Sequence, residues 1–162
     1  MKTGTTLTQE RLKELLYLED GIFYWNVNYS SVSKHDKAGY YSDNGYHYIY
    51  LSGRSYSTHR LMWLYHYGYM PKMIDHIDGN PKNNSIENLR ECNHQENSFN
   101  RKASKNNKTG YKNVYLRNNK YMVQLRIDGK LHHFGSYVSL DDAVKVATDQ
   151  RNKLHKEFAN NE

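Results

Sequence analysis

Residues 73–97 read MIDHIDGNPKNNSIENLRECNHQEN, a histidine set between carboxylates and followed by a crowd of asparagines. A short apolar approach ends at Asp75 and His76, and DGNPKNNS behind it has the glycine, proline and asparagines of a turn-rich loop. IENLREC can return as a second strand, and NHQENSFNR has the composition of a capped helix starting near Asn93. The stretch therefore predicts strand, loop, strand, helix. In such a unit Asp75 on the first strand and Asn97 on the helix can converge, offering two hard oxygens to a Mg²⁺-like cation and leaving room for waters and a phosphate. Asparagine is also an ordinary turn former, so Asn80, Asn83 and Asn84 are read as loop structure and Asp78 as a turn cap rather than a third ligand.

Toward the N-terminus, STHRLMWLYHY carries Leu61, Leu64 and Tyr65 on a helical stripe that Gly68 and Pro71 end. Before it, YHYIYLSGRSYS alternates and turns at Ser52-Gly53, which predicts a hairpin, and SVSKHDKAGYYSDNG reads as loop. GIFYWNV is strand-like. TLTQERLKELLYLED predicts a helix that Thr8 caps, with Leu12, Leu15 and Leu16 on one stripe and an end near Gly21.

Toward the C-terminus, RKASKNNKTG at 101–110 has four cations and no acid, and it reads as a linker whose Arg101, Lys102, Lys105 and Lys108 would meet phosphates. KNVYLR, KYMVQLRID and KLHHFGSY then read as three strands, the last two joined by Asp128-Gly129, a strong two-residue turn signal. In the middle strand Tyr121, Val123, Leu125 and Ile127 share one face, while Met122, Gln124 and Arg126 share the other. SLDDAVKVATDQRNKLHKEF opens on a Ser139…Asp142 capping box and lines up Ala143, Ala147, Leu154 and Phe158 along a helix. The expected fold is α+β: a mixed scaffold and strand-loop-strand-helix unit at 1–100, the linker, and a three-stranded antiparallel sheet on one helix at 111–162.

Composition narrows the partners. Sixteen tyrosines against four phenylalanines put a hydroxyl on much of the apolar surface. The formal charge of +6 is unevenly spread: residues 71–98 hold three basic and five acidic side chains, whereas 99–137 hold nine basic and one acidic. A basic stripe beside an acidic pocket suits a chain that holds a polyanion and places a cation at one point on it. No apolar run approaches the roughly 18 residues of a membrane span, and MKTGTTLTQERLKELL lacks the apolar segment of a secretory signal, so a cytoplasmic protein is expected. One cysteine, Cys92, excludes a disulfide within the chain and a cysteine-rich zinc site, and with His94 it lacks the second pair a zinc site needs.

IDHIDGNPKNNSIENLRECNHQEN resembles the HNH endonuclease motif, in the form with Asp and Asn ligands found in phage and intron-encoded homing endonucleases. The order and spacing carry the likeness: Asp75 adjoins His76, and Asn88 and Asn97 follow in register. The resemblance implies a ββα-metal core near 71–100, His76 as general base, Asp75 and Asn97 as ligands of one Mg²⁺ or Mn²⁺, and Asn88 steadying the loop. Imidazole suits the role because it can take a proton from water near neutral pH. Many such proteins carry an arginine where this chain has Ser85; Arg90 is read as a substitute phosphate contact, or as a partner of Glu87 or Glu91. His59-Arg60 matches the pair that opens the helix before the motif, and is read as scaffold or, through Arg60, a phosphate contact.

GYKNVYLRNNKYMVQLRIDGKLHHFGSYVSLDDAVKVATDQRNKL resembles the Apetala/ethylene-response-factor DNA-binding domain, whose sheet enters the major groove. By position the resemblance puts Lys112, Tyr115, Arg117, Lys120, Gln124, Arg126 and His133 on the DNA side. Together the two likenesses imply a homing-type endonuclease acting on double-stranded DNA as a monomer or weak dimer, in a host bacterial cytoplasm if phage-encoded. The alternative is a DNA-binding regulator with an inactive nuclease module.

Overall fold

Thr8 opens the first helix, its hydroxyl accepting from the Arg11 amide at 3.2 Å. In the computed structural model, which describes residues 7–28, 31–104 and 106–161, that helix is α1 (Gln9–Leu15), shorter than the sequence suggested. Leu16 leaves it in extended conformation and begins β1 (Leu16–Glu19), which pairs antiparallel with β2 (Ile22–Trp25) across the turn Asp20-Gly21. Both turn residues have positive φ, 49° and 74°, the geometry of a tight two-residue hairpin. Leu16 is still buried, as the stripe required, but from a strand.

The chain divides into two compact units, Met1–Cys92 and Asn93–Glu162. In the first, β3 (Tyr40–Tyr41), β4 (His47–Leu51) and β5 (Arg54–Ser57) form a second antiparallel sheet, with the expected turn at Ser52-Gly53. Helix α2 (Thr58–Tyr67) follows and stops at Gly68 in left-handed conformation. Leu12, Leu16, Phe23, Ile49, Leu51, Leu61 and Met62 are almost wholly buried in one core between these elements. The unit closes with β6 (Ile74–His76) paired to β7 (Leu89–Glu91).

The second unit starts at Asn93 and opens with α3 (His94–Phe99), the helix expected to end the strand-loop-strand-helix stretch. Asn93 caps it, and Glu96 returns the bond to the Asn93 amide, a complete capping box. Asn107 and Thr109 tie residues 107–114 together: Asn107 Nδ2 donates to the Tyr111 carbonyl at 2.7 Å, and Thr109 Oγ1 to that of Val114 at 2.8 Å. Strands β8 (Val114–Arg117), β9 (Lys120–Ile127) and β10 (Lys130–Tyr137) form the antiparallel sheet, packed on α4 (Leu140–His155). Val114, Val123 and Leu125 meet Ala143 and Ala147 in its core, the small alanines letting helix and sheet approach closely. This is the α+β fold the alternation predicted. No helix among the described residues is long and apolar enough to cross a membrane.

Candidate active site

The pairing of β6 with β7 sets Asp75 opposite Arg90 and His76 opposite Leu89. Cross-strand neighbours interact directly, and Arg90 donates from Nε at 3.0 Å and Nη2 at 2.8 Å, both to Asp75 Oδ2. Arg90 is thus held by a carboxylate fifteen residues upstream, because antiparallel register sets Asp75 opposite it. Asp75 and His76 are both 6% exposed.

Between the strands the loop is tied around Asp78. Its Oδ1 accepts from the Asn80 amide at 2.8 Å and Asn88 Nδ2 at 2.9 Å, and its Oδ2 from Asn83 Nδ2 at 2.8 Å. Partial desolvation raises the Asp78 pKa, but the bonds from Asn83, the Asn80 amide and Asn88, with His76 nearby, outweigh it and leave the carboxyl below its ordinary value. Asn88 adds a bond from Nδ2 to the Asn83 carbonyl and accepts the Asp78 amide on Oδ1 at 3.0 Å. Each of these asparagines thus has a structural partner, as its turn chemistry suggested.

Asn84 and His59 do more than the sequence indicated. His76 Nε2 lies 3.1 Å from Asn84 Oδ1. A neutral ring donating there carries its lone pair on Nδ1. His59, on the first turn of α2, sets its ring edge-on to His76 with centroids 5.1 Å apart, and Tyr46 lies 6.1 Å away on a tilted plane. Burial first, then the charges of His76 and Arg60, push the His59 pKa down to about 4, so this ring is neutral at physiological pH. Its seventeen-residue separation from His76 has no local signature; only the packing of α2 reveals the contact. Arg60 beside it is half-buried.

Asn97 sits half-buried on α3 in the second unit, its amide bonded to the Asn93 carbonyl at 3.0 Å. In that unit the sheet register places Tyr115 and Arg117 of β8 beside Met122 and Lys120, and Gln124 and Arg126 of β9 beside His133 and Leu131 of β10. By that register Tyr115, Arg117, Lys120, Gln124, Arg126 and His133 share the face away from α4, with Tyr115 44% exposed. Arg126 Nη1 also donates to the Gly129 carbonyl at 2.7 Å, which stiffens the β9–β10 turn. Lys112 does not join them. Its Nζ turns inward to the Phe99 carbonyl at 2.5 Å and the Asn160 carbonyl at 3.5 Å, a correction with a plain cause: Lys112 precedes β8 and strand alternation does not govern it. Arg101, Lys102 and Lys108 are exposed, and Lys105 lies outside the described residues.

A carboxylate and an amide oxygen are donors for a hard cation. Among the described residues no three His, Cys, Asp or Glu side chains gather as a metal cage.

The strand-loop-strand with its clamped loop and paired Asp-His defines a class. Residues 56–99, from β5 through α3, match the HNH endonuclease family, and the chain therefore carries an HNH endonuclease domain. It is 37% identical over 105 residues to Protein 3.8 of Escherichia phage T7, covering 62% of this chain and 86% of that protein, and it belongs to the same family as that protein. It is also 33% identical over 86 residues to Uncharacterized HNH endonuclease L560 of Acanthamoeba polyphaga mimivirus, covering 53% of this chain and 44% of that one. No solved structure matches the chain.

Proposed function

We propose that this protein is a homing-type DNA endonuclease of phage origin that uses one Mg²⁺ or Mn²⁺ per site, working in the host cytoplasm as a monomer or weak dimer. The observation that carries the reading is the fixed ring of His76, buried beside Asp75 on β6 with Nε2 held by Asn84. His76 takes a proton from water as the water oxygen attacks phosphorus, the bond to the 3′-oxygen breaks, and the leaving oxygen takes a proton from solvent. The products are a 5′-phosphate and a 3′-hydroxyl. General-base assistance of this kind is worth about 10²–10⁴ in rate.

Asp75 and Asn97 are the residues that would hold the ion, with Arg90 holding Oδ2 of the Asp75 carboxylate. When bound, a divalent cation supplies charge stabilisation at the non-bridging and leaving oxygens. Asn88 keeps the loop closed around Asp78 so that the strand bearing His76 stays in register. Tyr115, Arg117, Lys120, Gln124, Arg126 and His133 on the open sheet face would bind duplex DNA in the manner of the Apetala-like domain. Arginine can read guanine there and glutamine adenine. The cations Arg60, Arg101, Lys102, Lys105 and Lys108 would contact phosphates.

Supercoiled plasmid with and without Mg²⁺ tests the reading. His76→Ala is expected to bind DNA as the wild type does and to lose nicking by about 10²–10⁴-fold, and end-labelling should find 5′-phosphates. A purified His76→Ala protein that nicks at the wild-type rate would remove the mechanism. A wild type that binds but never cuts would leave the regulator alternative standing instead.

A further inference from the structure

Helix α3 is six residues long. A helix that short has little stability of its own, so its packing decides where its side chains sit. Its last turn is gripped by residues from the far end of the second unit. The Phe99 ring stacks on His155 with centroids 3.7 Å apart and planes within 5°. Lys112 Nζ donates to the Phe99 carbonyl at 2.5 Å, and Asn160 Nδ2 to the Asn100 carbonyl at 2.8 Å. Behind them Arg151, 3% exposed, donates from Nη1 to the Lys112 carbonyl at 2.6 Å.

The cluster is an expensive one. Three basic side chains share it, and both ring nitrogens of His155 are buried without a hydrogen-bond partner among the described residues. Burial, then the charges of Lys112 and Arg151, push His155 down to about 4, and burial followed by Arg151 brings Lys112 to about 8. An apolar cluster would hold the unit together at lower cost. Departures of this kind are characteristic of places where geometry matters more than stability.

We infer that Lys112, His155 and Asn160 are positioning residues for Asn97: they seat the backbone two and three residues beyond it and so fix the direction of its amide oxygen. This rests on the proposed role of Asn97 as a ligand. None of the three touches the ion or the DNA in this role. Supporting residues around a metal ligand typically govern metal affinity by about 10–100-fold when altered.

The test compares the full-length wild type with His155→Ala, His155→Phe and Lys112→Met by three readouts: nicking across a Mg²⁺ titration, metal-free gel-shift binding to the same DNA, and amide hydrogen exchange of residues 93–101. In His155→Ala and Lys112→Met, exchange in α3 should speed up and the Mg²⁺ concentration for half-maximal nicking should rise by roughly tenfold, while metal-free DNA affinity stays unchanged. His155→Phe keeps the stack on Phe99 and should keep the wild-type Mg²⁺ requirement, so it carries the test even if His155→Ala fails to fold. Faster α3 exchange with an unmoved Mg²⁺ requirement, or equal loss of metal-free binding, overturns the inference while leaving the nuclease reading intact. A wild type that does not nick at any Mg²⁺ concentration overturns the nuclease reading, and this inference with it.

Discussion

Asp75 is pulled two ways. Its carboxylate receives two bonds from Arg90 on one oxygen, and the proposed chemistry asks it to serve a cation as well. The pair is well shielded, with side-chain exposures of 15% for Arg90 and 7% for Asp75. Taking the guanidinium from a buried carboxylate costs about 3–5 kcal/mol in general, and Arg90→Met should fall near the lower end, since some of the guanidinium already reaches water. A divalent ion binding at Asp75 would offset part of that loss. Urea unfolding should therefore show Arg90→Met destabilised without metal and gaining more from saturating Mg²⁺ than the wild type gains; an equal gain in both would count against Asp75 as a ligand. The Asp75-His76 adjacency was legible in the sequence because it needs no tertiary information. The Arg90 partner was not, because Glu87 and Glu91 are nearer along the chain and only strand register chooses between them.

Turn chemistry was the more reliable guide among the elements, and the first helix, which ends earlier than its stripe suggests, shows why. The stripe of Leu12, Leu15 and Leu16 fits a helix and a helix-to-strand junction equally well, whereas Asp20-Gly21 is a hairpin signal that a helix cannot accommodate. Asp128-Gly129 and Ser52-Gly53 carry that same signal and form the expected turns. What no local pattern announces is close approach. Gly39 has φ of +101°, and a Cβ there would lie 2.5 Å from the Tyr48 carbonyl oxygen, where β4 must come near to be paired. Gly21, φ +74°, has nothing within 4 Å of such an atom. Gly21→Ala should thus cost only the left-handed conformation, about 1–2 kcal/mol. Gly39→Ala adds a clash with backbone that cannot swing aside, and should lower stability by clearly more. Urea midpoints for the two variants check the order; equal losses would mean that β3 and β4 part freely to admit the methyl group.

At the scale of the molecule, proton uptake separates the folded chain from the unfolded one. An unfolded histidine titrates near pH ~6.5, but His59 in the first unit and His155 in the second are both held down to about 4, chiefly by burial. As pH falls between those values the unfolded chain binds protons that the folded chain refuses, so stability present above pH ~6.5 drains away toward pH 4. Lys112, brought to about 8 by burial and Arg151, acts with the same sign in another window: from pH 8 to 10.5 the folded chain gives up a proton the unfolded chain keeps, and stability rises with pH. Asp78 does not interfere, since its carboxyl is held below its ordinary value and its effect lies at lower pH. Both tryptophans, Trp25 and Trp63, lie in the first unit, so their fluorescence follows that unit while far-ultraviolet circular dichroism follows both. His155→Phe removes one buried titrating ring from the second unit alone. It should flatten the decline of the dichroism midpoint between pH 6.5 and 4.5 and leave the fluorescence midpoint as steeply pH-dependent as in the wild type. Parallel slopes for the two proteins by dichroism would show that His155 does not stay neutral in the folded chain.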